Sequence, residues 1–233
     1  MFKKWLHLNT APKYPRYIFH HIPKCGGSSV KQGLKKWFKV VGDYISVDQL
    51  LGNEAVARPK DLSSLNSSYC LCGHFESKYN YLFLRYPEIL NNPEHYRLFT
   101  FLRDPLELRI SLYYYEIKAG RRKKDTESLE EYLLRSDNYL AKRFPCDKDN
   151  YQQVLDRYTF IGFQEELQQS IDQLSVLFGK PKSILTQINL SPRDTQSDNL
   201  STDFISSFKE VNRLDYLIYN YARKKFQREL SKN

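Results

Sequence analysis

Three groups of residues in this 233-residue chain have the types and spacing needed for chemistry. The first is Tyr17-Ile18-Phe19-His20-His21-Ile22-Pro23-Lys24-Cys25-Gly26-Gly27-Ser28-Ser29-Val30. It joins a β-branched and aromatic run to a short Gly-Gly turn carrying one lysine, and two hydroxyls open a segment of helical spacing. Glycines let backbone approach a ligand, and the free N–H groups and dipole at a helix start attract negative charge, so this is the make-up of an anion site. Lys24 adds a full positive charge. The second group is Arg103 and Ser111: Arg103 leaves an apolar run, Ser111 lies two turns into the following helical segment, and an Arg fork suits phosphate oxygens. The third is His74, placed just after Cys70-Leu71-Cys72-Gly73, with a side chain suited to taking a proton from a hydroxyl near neutral pH.

Each signal also has an ordinary structural reading. Gly26-Gly27 alone reads as a tight connection with a serine N-cap. Arg103 can pair with a local carboxylate while Ser111 bonds back to a helix carbonyl. A histidine bonded inside the fold fits His20 or His21, within the apolar run, better than His74. His7 and His95 read as surface. The turn is also not the nucleotide loop of kinases and GTPases, which has four residues between its glycines followed by Gly-Lys-Ser/Thr. Here the lysine precedes the glycines.

The elements that must position these groups follow from hydrophobic period and punctuation. Tyr17 to Ile22 reads as a buried strand, and a helix from Ser28 carries apolar Val30, Leu34, Trp37, Phe38 and Val41. Asp43 to Val47 reads as a short strand, Asp48 to Asn66 as irregular with a weak helix, and Tyr69 to Cys72 as a second buried strand. Ligands of parallel α/β sheets bind just beyond strand ends, which is where His74 stands. Tyr79 to Leu90 is aromatic and partly helical. Tyr96 to Leu102 reads as a strand running into a helix that has Asp104 as N-cap, Pro105 at its first position and Glu107 completing a capping-box-like start. That helix buries Leu106, Ile110, Tyr113, Tyr114 and Ile117 and stops near Gly120. Ser128 to Phe144 reads as helix, Arg157 to Ile161 as a central strand, and Glu165 to Phe178 as a helix closed by Gly179-Lys180-Pro181. Ser183 to Ile188 reads as a last strand, Asn189 to Asn199 as a polar loop, and Thr202 to Leu230 as one long amphipathic helix. This alternation predicts an α/β fold, a parallel sheet with helices on both faces, in a single domain over residues 1–233.

Composition narrows the partners. A formal net charge of +9 implies attraction to something anionic, whether nucleotide, acidic glycan, nucleic acid or membrane surface. Arg121-Arg122-Lys123-Lys124 reads as a solvated loop beyond a helix C-terminus rather than a dedicated patch. With 41% hydrophobic and 15% aromatic residues the chain is globular, and no long uncharged apolar run marks a transmembrane segment. Met1 to Arg16 has no apolar core of a secretory signal. The four cysteines, Cys25, Cys70, Cys72 and Cys146, lack zinc-knuckle spacing, so free thiols and a cytoplasmic location are expected.

The order Pro23-Lys24-Cys25-Gly26-Gly27-Ser28-Ser29 after His21-Ile22 resembles the 5′-phosphosulfate loop of sulfotransferases. It is most similar to the carbohydrate family that includes the uronyl and heparan 2-O-sulfotransferases. Arg103-Asp104-Pro105, with Ser111 and Tyr113 downstream, resembles that family's second signature, in which the Arg and Ser hold the 3′-phosphate of the donor. Gly73-His74-Phe75, Phe160-Ile161-Gly162-Phe163 with a following glutamate, and Leu214-Asp215-Tyr216 extend the likeness over much of the chain. The resemblance implies a three-layer, P-loop-like α/β fold and 3′-phosphoadenosine 5′-phosphosulfate as donor co-substrate, with no metal. It implies that Lys24 contacts the bridging oxygen as the donor leaves and that Cys25, Gly26, Gly27, Ser28 and Ser29 hold the 5′-phosphosulfate. Cys25 and Ser28 stand where the family often has Thr; Ser28 keeps the hydroxyl and Cys25 does not. His74 matches the family's catalytic base, and Asn189, Ser191 and Arg193 match a polar loop that closes over the nucleotide. The expected acceptor is a hydroxyl of a glycan or similar polar molecule, not nucleic acid, held by variable loops such as Tyr132 to Tyr151. Two other readings stand beside this one: a P-loop-like nucleotide-dependent kinase, and a non-catalytic binder of polyanions.

Overall fold

The computed structural model describes residues 15–46, 49, 55–75, 80–123, 126–135, 138–185 and 200–231. Among them a five-stranded, all-parallel sheet runs in the order β2-β3-β1-β4-β5. Its strands are β1 (Arg16–His20), β2 (Lys39–Gly42), β3 (Tyr69–Gly73), β4 (Tyr96–Leu102) and β5 (Phe160–Phe163). The central strand β1 pairs on one side with β3, Ile18 opposite Leu71, and on the other with β4, Ile18 opposite Leu98. Between and after the strands come α1 (Gly27–Leu34), α2 (Leu82–Arg85), α3 (Glu88–Asn91), α4 (Pro105–Lys118), α5 (Leu129–Arg135), α6 (Tyr139–Arg143), α7 (Tyr151–Asp156), α8 (Leu167–Leu177), α9 (Thr202–Val211) and α10 (Arg213–Leu230).

Alternation along β1 explains why the sheet is covered on both faces. Tyr17 and Phe19 point one way, where Tyr17 meets Phe38 and Phe178 and Phe19 stacks on Phe99 at 5.3 Å. His20 points the other way and contacts Phe75, Phe144 and Tyr158. Strands buried on both faces need the near-continuous apolar sequence these have. Phe19, Phe99 and Phe163 are fully buried, and truncating any of them to alanine would cost about 3–5 kcal/mol. A second, smaller cluster of Ile110, Tyr113, Tyr132, Leu133 and Phe208 joins α4, α5 and α9.

Several expected boundaries are corrected. The helix after Ser28 does not reach Val41: it ends at Leu34, the chain turns through Lys36 N–H to Gly33 O and Trp37 N–H to Leu34 O, and Lys39–Gly42 pairs with β3 as a strand. β-branched Val40 and Val41 fit that pleated edge. The short strand expected from Asp43 is therefore this one, four residues earlier, and residues 43–46 are irregular. The strand expected at Arg157–Ile161 is Phe160–Phe163 instead, because Tyr158 is drawn aside to hydrogen-bond His20 Nδ1 at 2.7 Å. Ser128 to Phe144 holds two helices, α5 and α6, rather than one. The long helix from Thr202 breaks at Asn212, whose Oδ1 accepts from Asn138 N at 2.9 Å while its amide donates to Phe208 O. Residues 183–185 are not a strand, and the remainder of the last expected strand lies outside the described residues.

Candidate functional site

The loops after β1, β3 and β4 emerge side by side at the carboxyl edge of the sheet, flanking the central strand. In the first of them, Lys24 adopts a left-handed backbone, φ 64°, and Gly26 follows at φ 77°. A left-handed conformation is costly for a side chain with a Cβ, so the surrounding structure must hold Lys24 there, and such residues cluster at functional sites. Gly26 is the N-cap of α1 and no side chain caps the helix; the first intrahelical bond runs from Val30 N to Gly26 O at 3.1 Å. The serine N-cap of the ordinary reading is thus absent, and the first-turn amides are left facing outward, as at an anion site. Ser28 is exposed at this opening and Ser29 is buried. Cys25 is 1% exposed, its thiol pKa is pushed up by burial, and Arg103's backbone N–H reaches the sulfur, so only the Cys25 backbone is available to a ligand.

α4 carries the second half of the site. Asp104 caps it by accepting from Leu106 N at 2.9 Å and Glu107 N at 3.2 Å, and Pro105 opens it, as the sequence implies. The reciprocal bond of a capping box comes from β5's end instead: Glu165 Oε1 accepts from Asp104 N at 2.6 Å. Glu107 is thereby left to pair with Arg103 at 3.1 Å. Glu107, Ser111 and Tyr115 are spaced four apart and share one ridge of the helix. Arg103 meets the start of that ridge, and Lys24 Nζ meets its end, 4.4 Å from the centre of the Tyr115 ring. The Lys24 pKa is lowered, first by burial and then by the fields of Arg103 and Lys118. Arg103 Nε is buried with no partner among the described residues. Ser111 is 8% exposed and makes no back-bond to a helix carbonyl, unlike Ser206, Ser207 and Ser231, which do. The local ion pair expected for Arg103 is formed; the back-bond expected for Ser111 is not.

His74 follows β3 and is half-buried. Its Nε2 lies 3.2 Å from His21 Nδ1, and that same Nδ1 lies 3.1 Å from the Tyr44 hydroxyl. Tyr44 in turn contacts Cys72 Sγ at 2.9 Å. Burial, then the neighbouring His74, holds the His21 pKa well below the usual imidazole value. His20, by contrast, is a core histidine: 1% exposed, bonded to Tyr158, with its pKa lowered to about 3 mainly by burial. The expectation of an internal histidine therefore holds for His20, whereas His21 turns out of the sheet into the site. β1 ends at His20, which frees His21 to do so.

A buried ion pair fixes the loop that supplies Tyr44. Asp43 Oδ2 and Oδ1 accept from Arg85 Nε at 2.6 Å and Nη2 at 2.8 Å, and Tyr86 donates to Oδ2 at 2.6 Å. Arg85 also reaches the carbonyls of Ala57 and Arg58. Gly73 permits the approach, since a Cβ there would lie 2.2 Å from Asp43 O. Across the fold, Asp215 caps α6 by accepting from Leu140 N and Ala141 N, both at 2.9 Å, and burial raises its pKa to about 6.

The structure thus gathers Lys24, Gly26, Gly27, Ser28, Arg103, Ser111 and His74 at one edge of the sheet. Asn189, Ser191 and Arg193 lie outside the described residues. Of the basic run 121–124, Arg122 is engaged by Glu116 at 3.0 Å and by Glu127, while Arg121 lies over Tyr115. Sequence reasoning missed Tyr44, Tyr115 and His21. Among the described residues no helix is long and apolar enough to cross a membrane, and no group of three His, Cys, Asp or Glu side chains is placed to hold a metal ion.

No family model matches this chain, and no curated protein is similar to it in sequence. Among solved structures, the fold is similar to that of a sulfotransferase from Alicyclobacillus acidocaldarius, with a TM-score of 0.52 at 15% identity over 88% of this chain and 96% of that one. The mouse sulfotransferase SULT7A1 complexed with PAP aligns with a TM-score of 0.45 at 9% identity over 87% of this chain and 66% of that one. The protein therefore has a P-loop-like, three-layer α/β fold, the architecture found in sulfotransferases.

Proposed function

We propose that this protein transfers a sulfuryl group from 3′-phosphoadenosine 5′-phosphosulfate to a hydroxyl of a carbohydrate or similar polar acceptor. The observation that carries the reading is the convergence of Lys24 and Arg103, from two different loops, on the uncapped N-terminus of α1 and on one ridge of α4. Sulfotransferase architecture around that edge, and the loop and Arg103–Ser111 signatures, support the same chemistry. On this reading the amides of residues 27–29 and Ser28 hold the 5′-phosphosulfate, while Arg103 and Ser111 hold the 3′-phosphate.

The transfer forms a bond from the acceptor oxygen to sulfur and breaks the bond from sulfur to the bridging oxygen. The acceptor proton passes to His74, and the electron pair of the broken bond stays on the departing phosphate. Lys24 and the helix amides meet that growing charge, an interaction stronger in the transition state than in the ground state. Among the described residues, the acidic side chains beyond the strand ends, which a magnesium-dependent kinase would use, are already engaged: Asp43 by Arg85, Asp104 by α4 and Glu165 by Asp104. The test is transfer of radiolabelled sulfate from the donor to a panel of desulfated glycans and small alcohols, run beside transfer from ATP with magnesium. Label in the acceptor supports the reading; phosphate in the acceptor instead supports the kinase.

A further inference from the structure

The run Tyr113-Tyr114-Tyr115 divides between core and site. Tyr113 belongs to the second buried cluster and Tyr114 packs against it, whereas Tyr115 stands 38% exposed, one turn beyond Ser111 on the ridge of α4 that begins at Glu107. Lys24 Nζ lies 4.4 Å from the centre of the Tyr115 ring, within the range at which an aromatic face attracts an ammonium. Among the described residues the Tyr115 hydroxyl makes no hydrogen bond, so the ring is the part of the side chain in use. Lys24 reaches it from a left-handed backbone, φ 64°, in the loop after β1. The ammonium it brings stands among cations: burial, then Arg103 and Lys118, act against its charge, and Arg121 lies 5.6 Å from the same ring.

We propose that Tyr115 is a positioning residue for Lys24: its ring face holds the ammonium at the end of the α4 ridge, ordered and charged, for the oxygen that leaves sulfur. This rests on the sulfotransferase reading above. A carboxylate in the place of the ring would also hold the lysine, but it would cancel the charge that the departing phosphate needs and would occupy the N–H donors. The ring attracts the ammonium through its quadrupole and carries no net charge, so the site keeps its positive potential. It also limits the rotamers of a long side chain before the reaction, and that ordering is then not required while charge develops on the leaving group. Lys24 and the Arg103–Ser111 pair are thereby set along one rigid helix, although Lys24 comes from a different loop.

The test compares Tyr115→Leu, which keeps apolar bulk but removes the aromatic face, with Tyr115→Phe, which keeps the face and removes the hydroxyl. The readouts are kcat, the KM of donor and acceptor, the dissociation constant of adenosine 3′,5′-bisphosphate, melting temperature, and carbon–proton NMR spectra of protein carrying isotope-labelled lysine, in which Lys24 is assigned by its absence from Lys24→Ala. Tyr115→Leu is expected to lower kcat about fivefold, the size of a cation–π contact at a partly exposed site, with both KM values, bisphosphate affinity and melting temperature nearly unchanged. Tyr115→Phe is expected to keep the parent kcat. The ε-methylene signal of Lys24 is expected upfield of the other lysines in the parent and in Tyr115→Phe, moved by the ring current, and among them in Tyr115→Leu. A Tyr115→Leu kcat within about twofold of the parent overturns the proposal, because a cation–π contact of this kind should exceed that. So does a rise in acceptor KM with kcat intact, which assigns the ring to the acceptor, or a Tyr115→Phe kcat as low as that of Tyr115→Leu, which assigns the effect to the hydroxyl. A Lys24 signal lying among the other lysines in the parent overturns it as well, and that result needs no turnover. Parent turnover that survives Tyr115→Leu strikes the role of the ring alone, whereas a parent that transfers no sulfuryl group strikes the sulfotransferase reading itself.

Discussion

Lys24 Nζ rests 4.4 Å from the centre of the Tyr115 ring, one helical turn beyond Ser111 on the same ridge of α4. Tyr115 is 38% exposed, so the ring offers the ammonium an aromatic face at the rim of the site rather than a buried salt bridge. Among the described residues the Lys24 ammonium is thereby held by an aromatic face and not by a carboxylate. Lys24→Ala is expected to lower kcat by a larger factor than it raises the dissociation constant of adenosine 3′,5′-bisphosphate, because the proposed contact strengthens as the leaving phosphate gains charge. Steady-state kinetics with calorimetric titration check this. Loss of affinity with turnover at saturation intact would reduce Lys24 to a binding residue.

His74→Ala is expected to leave the fold and bisphosphate affinity nearly unchanged. Its backbone carbonyl, which accepts from Asn80 Nδ2 at 2.5 Å, survives the substitution. Turnover should fall about a hundredfold to ten-thousandfold, the range for a general base. Activity within a few-fold of the parent on a true acceptor would remove His74 from that role.

The Asp43–Arg85 pair makes a stability prediction. Both side chains are only 4% exposed, and Arg85 is bound bidentately. Asp43→Ala leaves a buried guanidinium uncompensated, which typically costs about 3–5 kcal/mol. At roughly 2–4 °C per kcal/mol for a chain of this size, the melting temperature should fall by about 6–20 °C. Tyr44 and the histidine pair should loosen with it, so activity per folded molecule should also drop. A melting temperature unchanged within about 2 °C would show that the pair does not anchor the loop.

Acid sensitivity follows from His20. Its folded pKa of about 3 lies below the unfolded value of about 6.5, so the fold favours the neutral ring. The associated stability is complete above about pH 6.5 and is lost as pH falls toward 3, by up to about 1.4 kcal/mol per pH unit. Asp215 acts in the opposite direction: with a folded pKa raised to about 6, it favours the fold when protonated and withdraws stability as pH rises from about 4 to 6. Urea titrations of the parent and of His20→Phe between pH 4.5 and 6.5 separate the two. The variant loses absolute stability because Tyr158 is left unpaired, but its stability should decline less steeply with acid, by about one proton. Identical slopes would contradict a neutral buried His20.

Much of this was legible in the chain because local chemistry and tertiary role coincide. Tyr96 to Leu102 is a strand with the expected bounds, and Asp104 and Pro105 cap α4 as their types require. The strand, turn and helix around Lys24, Gly26 and Gly27 form where those residues imply them. Errors arose where a partner distant in sequence decides. Val40 and Val41 continue a helical spacing but are taken by β3, and Asn212 looks like any helical polar residue until Asn138 is placed beside it. An internal histidine fits His20 or His21 equally by their apolar neighbours, but the strand ends at His20 and His21 turns out of the sheet. Two consecutive histidines directly before a phosphate-type loop were the available signal. Tyr115 and Tyr44 carried no comparable mark, since aromatic residues are frequent throughout the chain.

The 3′-phosphate subsite proposed at Arg103 and Ser111 can be measured without knowing the acceptor. Isothermal titration of the purified protein with adenosine 3′,5′-bisphosphate, adenosine 5′-phosphate and ATP with magnesium compares nucleotides that differ in that group. The prediction is that the bisphosphate binds at least tenfold more tightly than either of the others, and that Arg103→Ala removes most of the difference. Equal affinity for adenosine 5′-phosphate, or tighter binding of ATP with magnesium, would contradict a donor carrying a 3′-phosphate.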